Sequence, residues 1–292
     1  MRPFAYCVLS FVLSLLTVVP AATFAEEDAT EYILRYKFTA NEFVHYDVDS
    51  KNKMVVEKNQ AKVTTVNNTN TLKHYRVIWV DEKGNGTLET MIDRVQMSVK
   101  LDDQAAATFD SKQPIEKDLK QFEPIRKSIG NASRIIYSPL GKVVSKEEKP
   151  DAQNQGFMIP LPENKVKIGD SWKEEYDVEV SVGKTLRKKV PIRRTFTLES
   201  MEDQIAVIKF KTNVLKRQND PKIGLQLIQK TPSGSIKLDI ERGVIISQDV
   251  SSDKAQIGIF DGQGAMRAIT SRVESLVDPA TIAKTDTNTD SK

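Results

Sequence analysis

The sequence predicts a mainly β, antiparallel fold built from two related β-rich halves, with one kinked helical insertion. Three observations carry this expectation. Apolar and polar residues alternate in run after run, the period of a half-buried strand. Turns bearing glycine and asparagine separate the runs. Blocks of sequence recur in the same order in both parts of the chain. Such a repeat builds a curved sheet, a half-barrel or a sandwich, and its copies either share one sheet or form two domains.

Four segments are expected: an export signal over 1–25, a first β-rich half over 26–155, a second over 156–277, and a disordered tail over 278–292. The signal has Arg2, a nearly continuous apolar run from Cys7 to Val19, then Pro20 and Ala21-Ala22-Thr23-Phe24-Ala25 before Glu26-Glu27-Asp28. This is the three-part pattern of a secretory signal, with cleavage after Ala25. The run falls short of the roughly 20 residues that a membrane span needs. Cys7 stands at its start, so it cannot carry lipid at the cleavage point. The expected product is exported, periplasmic or extracellular, soluble, and without a transmembrane segment.

The first half opens on Tyr32, Leu34, Tyr36 and Phe38, alternating with Ile33, Arg35 and Lys37. Val44, Tyr46 and Val48 repeat the pattern, as do Tyr75, Val77 and Trp79, and then Val95, Met97, Val99 and Leu101. Asp81-Glu82-Lys83-Gly84-Asn85-Gly86 between the last two runs is a hairpin loop, because Gly and Asn tolerate positive φ. The polar stretch Asn52 to Lys73 reads as an exposed edge strand and loop. Ile115, Leu119, Phe122, Ile125 and Ile129 fall on one helical face between Pro114 and Gly130. Pro124 inside that run removes a hydrogen bond, so a kinked helix or two short ones are expected near 114–130.

The second half reads as strands at 172–182, 190–198, 205–215, 223–229, 235–240, 244–250 and 254–260. The run Ala265 to Val277 fits either a strand or a helix, since Ile269, Val273 and Val277 are four apart. The tail is nearly free of apolar residues and cannot offset its ordering entropy.

The repeated blocks are Thr39 to Phe43 with Ile168 to Trp172, offset by 129; Arg76 to Val80 with Arg194 to Leu198, offset by 118; and Ser133 to Ser145 with Ser235 to Ser247, offset by 102. The helical insertion in the first copy accounts for part of the fall in offset.

Composition removes many chemistries. The one cysteine lies in the signal, so the mature chain has no disulfide, no thiolate nucleophile and no Cys-ligated metal. Two histidines cannot supply a three-His centre. After cleavage 42 basic residues face 40 acidic ones, which is no footprint for nucleic acid. No catalytic residue, cofactor or metal site is expected.

Each remaining motif has a structural reading beside its functional one. Gly169-Asp170-Ser171-Trp172 is similar to a GDSL-type hydrolase block, with Ser171 as nucleophile. Both His45 and His74 lie upstream of it, however, so no downstream base exists. Asp47-Val48-Asp49 starts like a calcium loop but lacks the third ligand and the glycine. Asp249, Ser251 and Asp253 fit a turn. The Gly pairs at 84–86 and 262–264 lack the strand-then-helix setting of a phosphate cradle. His45 and His74 read as polar strand residues without a partner. Trp79 and Trp172 are candidate ligand-binding residues, with core packing as the default. Lys184, Arg187, Lys188, Lys189, Arg193 and Arg194 form the densest basic cluster. They read as a charged hairpin blunting a sheet edge, or as an anion-facing patch for lipid headgroups or envelope polymers.

Leu161-Pro162-Glu163-Asn164-Lys165-Val166-Lys167-Ile168-Gly169-Asp170-Ser171-Trp172 resembles the proline loop and Val-x-x-Gly-Asp-Ser-Trp signature of a family of secreted bacterial β-rich proteins of unknown function. Leu34-Arg35-Tyr36-Lys37-Phe38 and Ser138-Pro139-Leu140-Gly141-Lys142-Val143 extend the resemblance over 32–277; Ala40-Asn41 departs from it at the first turn. The resemblance implies no activity and no functional residue. The expected function is therefore that of a non-catalytic envelope protein, binding or structural. The alternative is a carrier of an apolar ligand, lipid or lipoprotein, in a concave sheet.

Overall fold

A computed structural model describes residues 30–117, 119–146, 158–182 and 186–278. The expected signal, the joint near 149–156, Lys184 and the tail beyond 278 lie outside these residues. Twelve strands follow in chain order: β1 (Phe43–Lys58), β2 (Ala61–Val80), β3 (Gly86–Leu101), β4 (Ala107–Asp110), β5 (Ser133–Tyr137), β6 (Val143–Lys146), β7 (Ser171–Val182), β8 (Leu186–Glu202), β9 (Ile205–Val214), β10 (Ser233–Asp239), β11 (Val244–Ile259) and β12 (Gly264–Val277). Helix α1 spans Glu123–Ser128 and α2 spans Pro221–Leu227. No helix among the described residues is long and apolar enough to cross a membrane.

All the strands join one antiparallel sheet in the order β6-β5-β3-β2-β1-β12-β11-β10-β9-β8-β7, with β4 paired to β3. The sheet is open, with β6 and β7 at its edges. It contains the same meander twice: β1, β2, β3, β5 and β6 correspond to β7 through β11, and β12 joins the copies. Local geometry repeats as well. Asn41 N donates to Val77 O and Val77 N to Glu42 O, just as Gly169 N donates to Leu198 O and Leu198 N to Asp170 O. A bulge follows Val77 in β2 and Leu198 in β8. A second bulge interrupts the β5–β6 pair and the β10–β11 pair.

These bonds correct two of the expected offsets. The turns match at 128 rather than 129, and β2 matches β8 at 121 rather than 118. Matching aromatic to aromatic misled the comparison. Phe43 faces outward and is exposed, whereas Trp172 stacks on Phe196 inside. Gly141 and Gly243 keep their offset of 102, and both sit at positive φ (71° and 67°). The helical insertion is not special to the first copy either: α1 lies between β3 and β5, and α2 between the equivalent β9 and β10.

The sheet curls so that both copies share a core at one end. Val44, Tyr46, Tyr75, Val77, Leu88 and Tyr137 of the first meet Phe196, Leu198, Ile208, Ile236 and Leu238 of the second. Residues 32–38 cross this end as a strap. Tyr36 N donates to Pro139 O and Lys37 N to Gly243 O, so the strap spans both equivalent hairpin turns. A Cβ on Gly141 would collide with Ile159 O, and one on Gly243 with Lys37 N. That close approach explains why both positions are glycine. The alternation expected over 32–38 holds, with Leu34 and Tyr36 buried. The segment is nevertheless no strand, since only Tyr32 forms a bridge, to Val166. Filling this core is the main source of stability: each fully buried Leu, Ile or Phe contributes about 1.5–3 kcal/mol.

Other expectations are corrected by the tertiary context. Residues 52–73 are the central strands β1 and β2, joined at Asn59 and Gln60, both at positive φ as a tight hairpin turn requires. The 115–129 run breaks into 3-10 turns at Ile115–Lys117 and Lys120–Phe122 followed by α1, because Pro124 fits only a first helical turn. Phe122 is buried against Phe109, while Ile115 and Leu119 are exposed. Residues 221–227 form α2, not a strand. Asp220 caps it by accepting from Lys222 N, and Pro221 opens its first turn. The ambiguous 265–277 run is strand β12.

Candidate functional site

The structure disperses the sequence candidates. Trp79 is 61% exposed, not packed in the core: the bulge after Val77 flips the pleat, so Val80 turns inward in its place. Trp172 is half-buried, and its Nε1 donates to Pro160 O at 2.8 Å. Ser171 opens the edge strand β7, where its Oγ shares a hydrogen bond with Thr197 Oγ1 at 2.7 Å. The basic stretch faces acidic partners on β7. Arg187 pairs with Glu179 at 3.3 Å and Arg193 with Glu175 at 2.8 Å, while Lys189 lies opposite Glu179. Lys188 donates to Gln218 Oε1. Arg194 points inward, bonded to Tyr176 OH and lying over the rings of Tyr176 and Phe210. Asn70 donates to both Asp47 and Asp49, and Arg267 neutralises Asp253, so each acidic group has a local structural partner.

The inner face of the sheet is graded. Next to the core, β1, β2 and β12 place a polar belt in register: Ser50 opposite Thr69 and Arg272, Asn52 opposite Asn67 and Thr270, and Val48 opposite Thr71 and Glu274. Glu274 is buried and takes Lys73 Nζ at 2.7 Å and Arg272 Nη2 at 2.5 Å. Burial pushes the Lys73 ammonium down to about 8, against the opposing pull of Glu274. Asn52 Oδ1 is buried with no hydrogen-bond partner among the described residues. Beyond the belt the same face turns apolar. Met54, Val56, Met266, Ala268 and Ile259 form one cluster with Ile228. Val95, Phe109 and Phe122 form another, on β3 and β4 at the level of the belt. At the strand tips of this open end Val63, Leu101, Leu186 and Phe260 are exposed, and Ile257 is exposed on the outer face. The two best-formed depressions among the described residues are shallow. One, of ≈ 370 Å³, is lined by Ser50, Thr69, Met97 and Phe109 with polar neighbours, and the other, of ≈ 760 Å³, lies on the outer face around Lys209, Lys211 and Asp249.

The outer face holds the arrangement that sequence reading missed. His45 and His74 face each other across β1 and β2, with ring centroids 5.1 Å apart. Asp93 is the extra residue of a bulge in β3, and both its oxygens lie 2.8 Å from His74 Nδ1. Burial lowers the His45 pKa, and the neighbouring His74 lowers it further. A signal was present: Asn59-Gln60 as a two-residue turn pairs residues whose numbers add to 119, and 45 and 74 do.

Residues 145–245 match the model of a family described as of unknown function (DUF6263). No curated protein matches the chain. Among solved structures, a lipovitellin structure described as concerning lipid–protein interactions is similar at a TM-score of 0.51 and 10% identity, over 83% of this chain and 26% of that one. This chain therefore spans about a quarter of the length of that relative, and the likeness is one of fold. DynF from the dynemicin pathway of Micromonospora chersina (5% identity, 87% of this chain and 89% of that one) reaches only 0.23. The NalP autotransporter translocator domain of Neisseria meningitidis (8% identity, 81% and 89%) reaches 0.21.

Proposed function

We propose that this chain is an exported, non-catalytic binding protein of the cell envelope, and that it holds an amphiphile in the open end of its curved sheet. The graded inner face carries this reading. A polar belt with an unpartnered amide oxygen at Asn52 suits a ligand's polar group, and the apolar clusters and exposed tips beyond it suit a hydrocarbon portion. A wholly apolar cargo fits less well, because Thr69, Thr71, Asn67 and Arg272 would be desolvated against it without compensation. Lipid is the ligand named with the lipovitellin structure, which supports that class of molecule here.

The test is organic extraction of protein purified from its native host, followed by mass spectrometry. A stoichiometric lipid or lipid-bearing fragment is expected, and Val63→Asp with Leu101→Asp, both on the inner face at the mouth, should deplete it. Protein that carries none, and that takes up no fluorescent fatty acid in titration, overturns the reading.

A further inference from the structure

β1 and β2 are locked in register by the Asn59–Gln60 turn, and this fixes His45 opposite His74 on the outer face. The third member depends on the β3 bulge. There Lys73 pairs with Ile92 and Leu72 with Arg94, so Asp93 has no partner across the ladder and turns outward onto His74. Bulges re-aim side chains in this way. One donor atom from each of the three residues lies within 4.8 Å of the other two.

An ion pair between His74 and Asp93 alone leaves one fact unexplained. One ring nitrogen of His45 takes part in this cluster, and its Nδ1 is buried with no hydrogen-bond partner among the described residues. Buried polar atoms are nearly always satisfied, so an unpaired one calls for a partner. A cation would satisfy such a nitrogen, and Asp93 supplies the countercharge.

We propose that His45, His74 and Asp93 form a binding site for a divalent transition metal ion, with zinc the best match. Two imidazoles and one carboxylate are borderline donors that suit zinc and its neighbours; calcium and magnesium take oxygen alone. Zinc–ligand bonds of about 2.0–2.2 Å bring tetrahedral donors to roughly 3.4 Å from one another, a closure that side-chain rotation supplies. Three protein ligands leave a fourth position for water or an incoming group. Surrounding charge is balanced. Arg76, one pair along the ladder, opposes a cation, but it lies over the Phe43 ring and donates to Asn41 Oδ1. Glu89 is paired with Arg134, while Asp47, which accepts from Asn70, keeps its negative charge and favours a nearby cation.

The experiment is calorimetric titration of the full chain, free of any affinity tag, with zinc chloride, repeated with cobalt to read its visible absorption. One ion per chain is expected. His45→Gln and Asp93→Asn should each weaken zinc binding about tenfold or more, with far-ultraviolet circular dichroism unchanged. Asp93 sits on an exposed bulge, so its variant tests the site even if His45→Gln disturbs folding. Failure of the wild-type chain to bind zinc, or variants that bind as tightly as wild type, overturns the proposal. Neither result bears on the amphiphile reading, which concerns the opposite face.

Discussion

The two copies of the meander carry the same turn bonds, the same two bulges and the same left-handed glycine, yet they differ on both faces of the sheet. On the inner face, Lys73 of the first copy matches Arg194 of the second, a partly buried cation beside the core in each. Lys73 is paired with buried Glu274, whereas Arg194 is held by Tyr176, Thr212 and two aromatic rings. On the outer face, His45 and His74 match Lys173 and Thr195, and Asp93 has no counterpart because β9 lacks the bulge. The shared features are those that close the sheet; the differing ones are those able to do chemistry. One inserted residue separates them, since a bulge changes which side chains share a face without changing the strand order.

The largest expected effect tests what is common. Gly141→Ala and Gly243→Ala each place a methyl group into the strap at positive φ, and each should cost about 3 kcal/mol in chemical denaturation. A tolerated change at one site would show that the strap is anchored by only one copy. Next comes the inner cation. Lys73→Met strands Glu274 with Arg272 alone and should cost about 3 kcal/mol. Arg194→Met should cost about 1–2 kcal/mol, since it removes the tyrosine hydrogen bond and ring contacts and the charge that faces the partly buried Glu174. Equal losses would mean that the two cations do the same job.

The third effect is on the pH profile. The unfolded chain keeps the Lys73 proton to its ordinary value near 10.4, while the folded chain releases it near 8. Between these values the unfolded state binds more protons, so this group makes stability rise with pH. Above pH ~10 the trend reverses, because burial raises the Tyr36, Tyr46 and Tyr75 hydroxyls and only the unfolded chain ionises them readily. Lys73→Met should reduce the rise, to which burial of Lys254 also contributes, and keep the fall, and Arg194→Met should keep both. Smallest is the charged hairpin of the second copy: Arg193→Ala breaks a half-exposed pair with Glu175 and should change stability by about 0.5 kcal/mol or less. A larger loss would restore the basic stretch as more than a solvated edge.

Much of the closed end was legible. Leu34, Tyr36, Val44 and Tyr46 were placed correctly by period-two alternation, because one face of a sheet must leave water. Gly141 and Gly243 were matched because only glycine accommodates both the φ and the strap. The candidate sites were far less legible. Trp79 was assigned to the wrong face because alternation cannot see a bulge. Residues 52–73 were demoted to an edge because their inner face is polar, and a polar inner face in a central strand carries no periodic signal. Asp220-Pro221 was a helix start just before an apolar run, Ile223 to Ile228, that reads equally as a strand.

By itself the sequence determined the β class, the repeat and the core-forming face, since each follows from local periodicity, turn chemistry and the need to bury apolar surface. Only the tertiary structure decided that the copies share one open sheet with β12 between them. It alone decided that a graded inner face runs out to an apolar mouth, and that His45, His74 and Asp93 meet. Those outcomes depend on register and on one bulge, and register is a property of paired strands that no single strand carries.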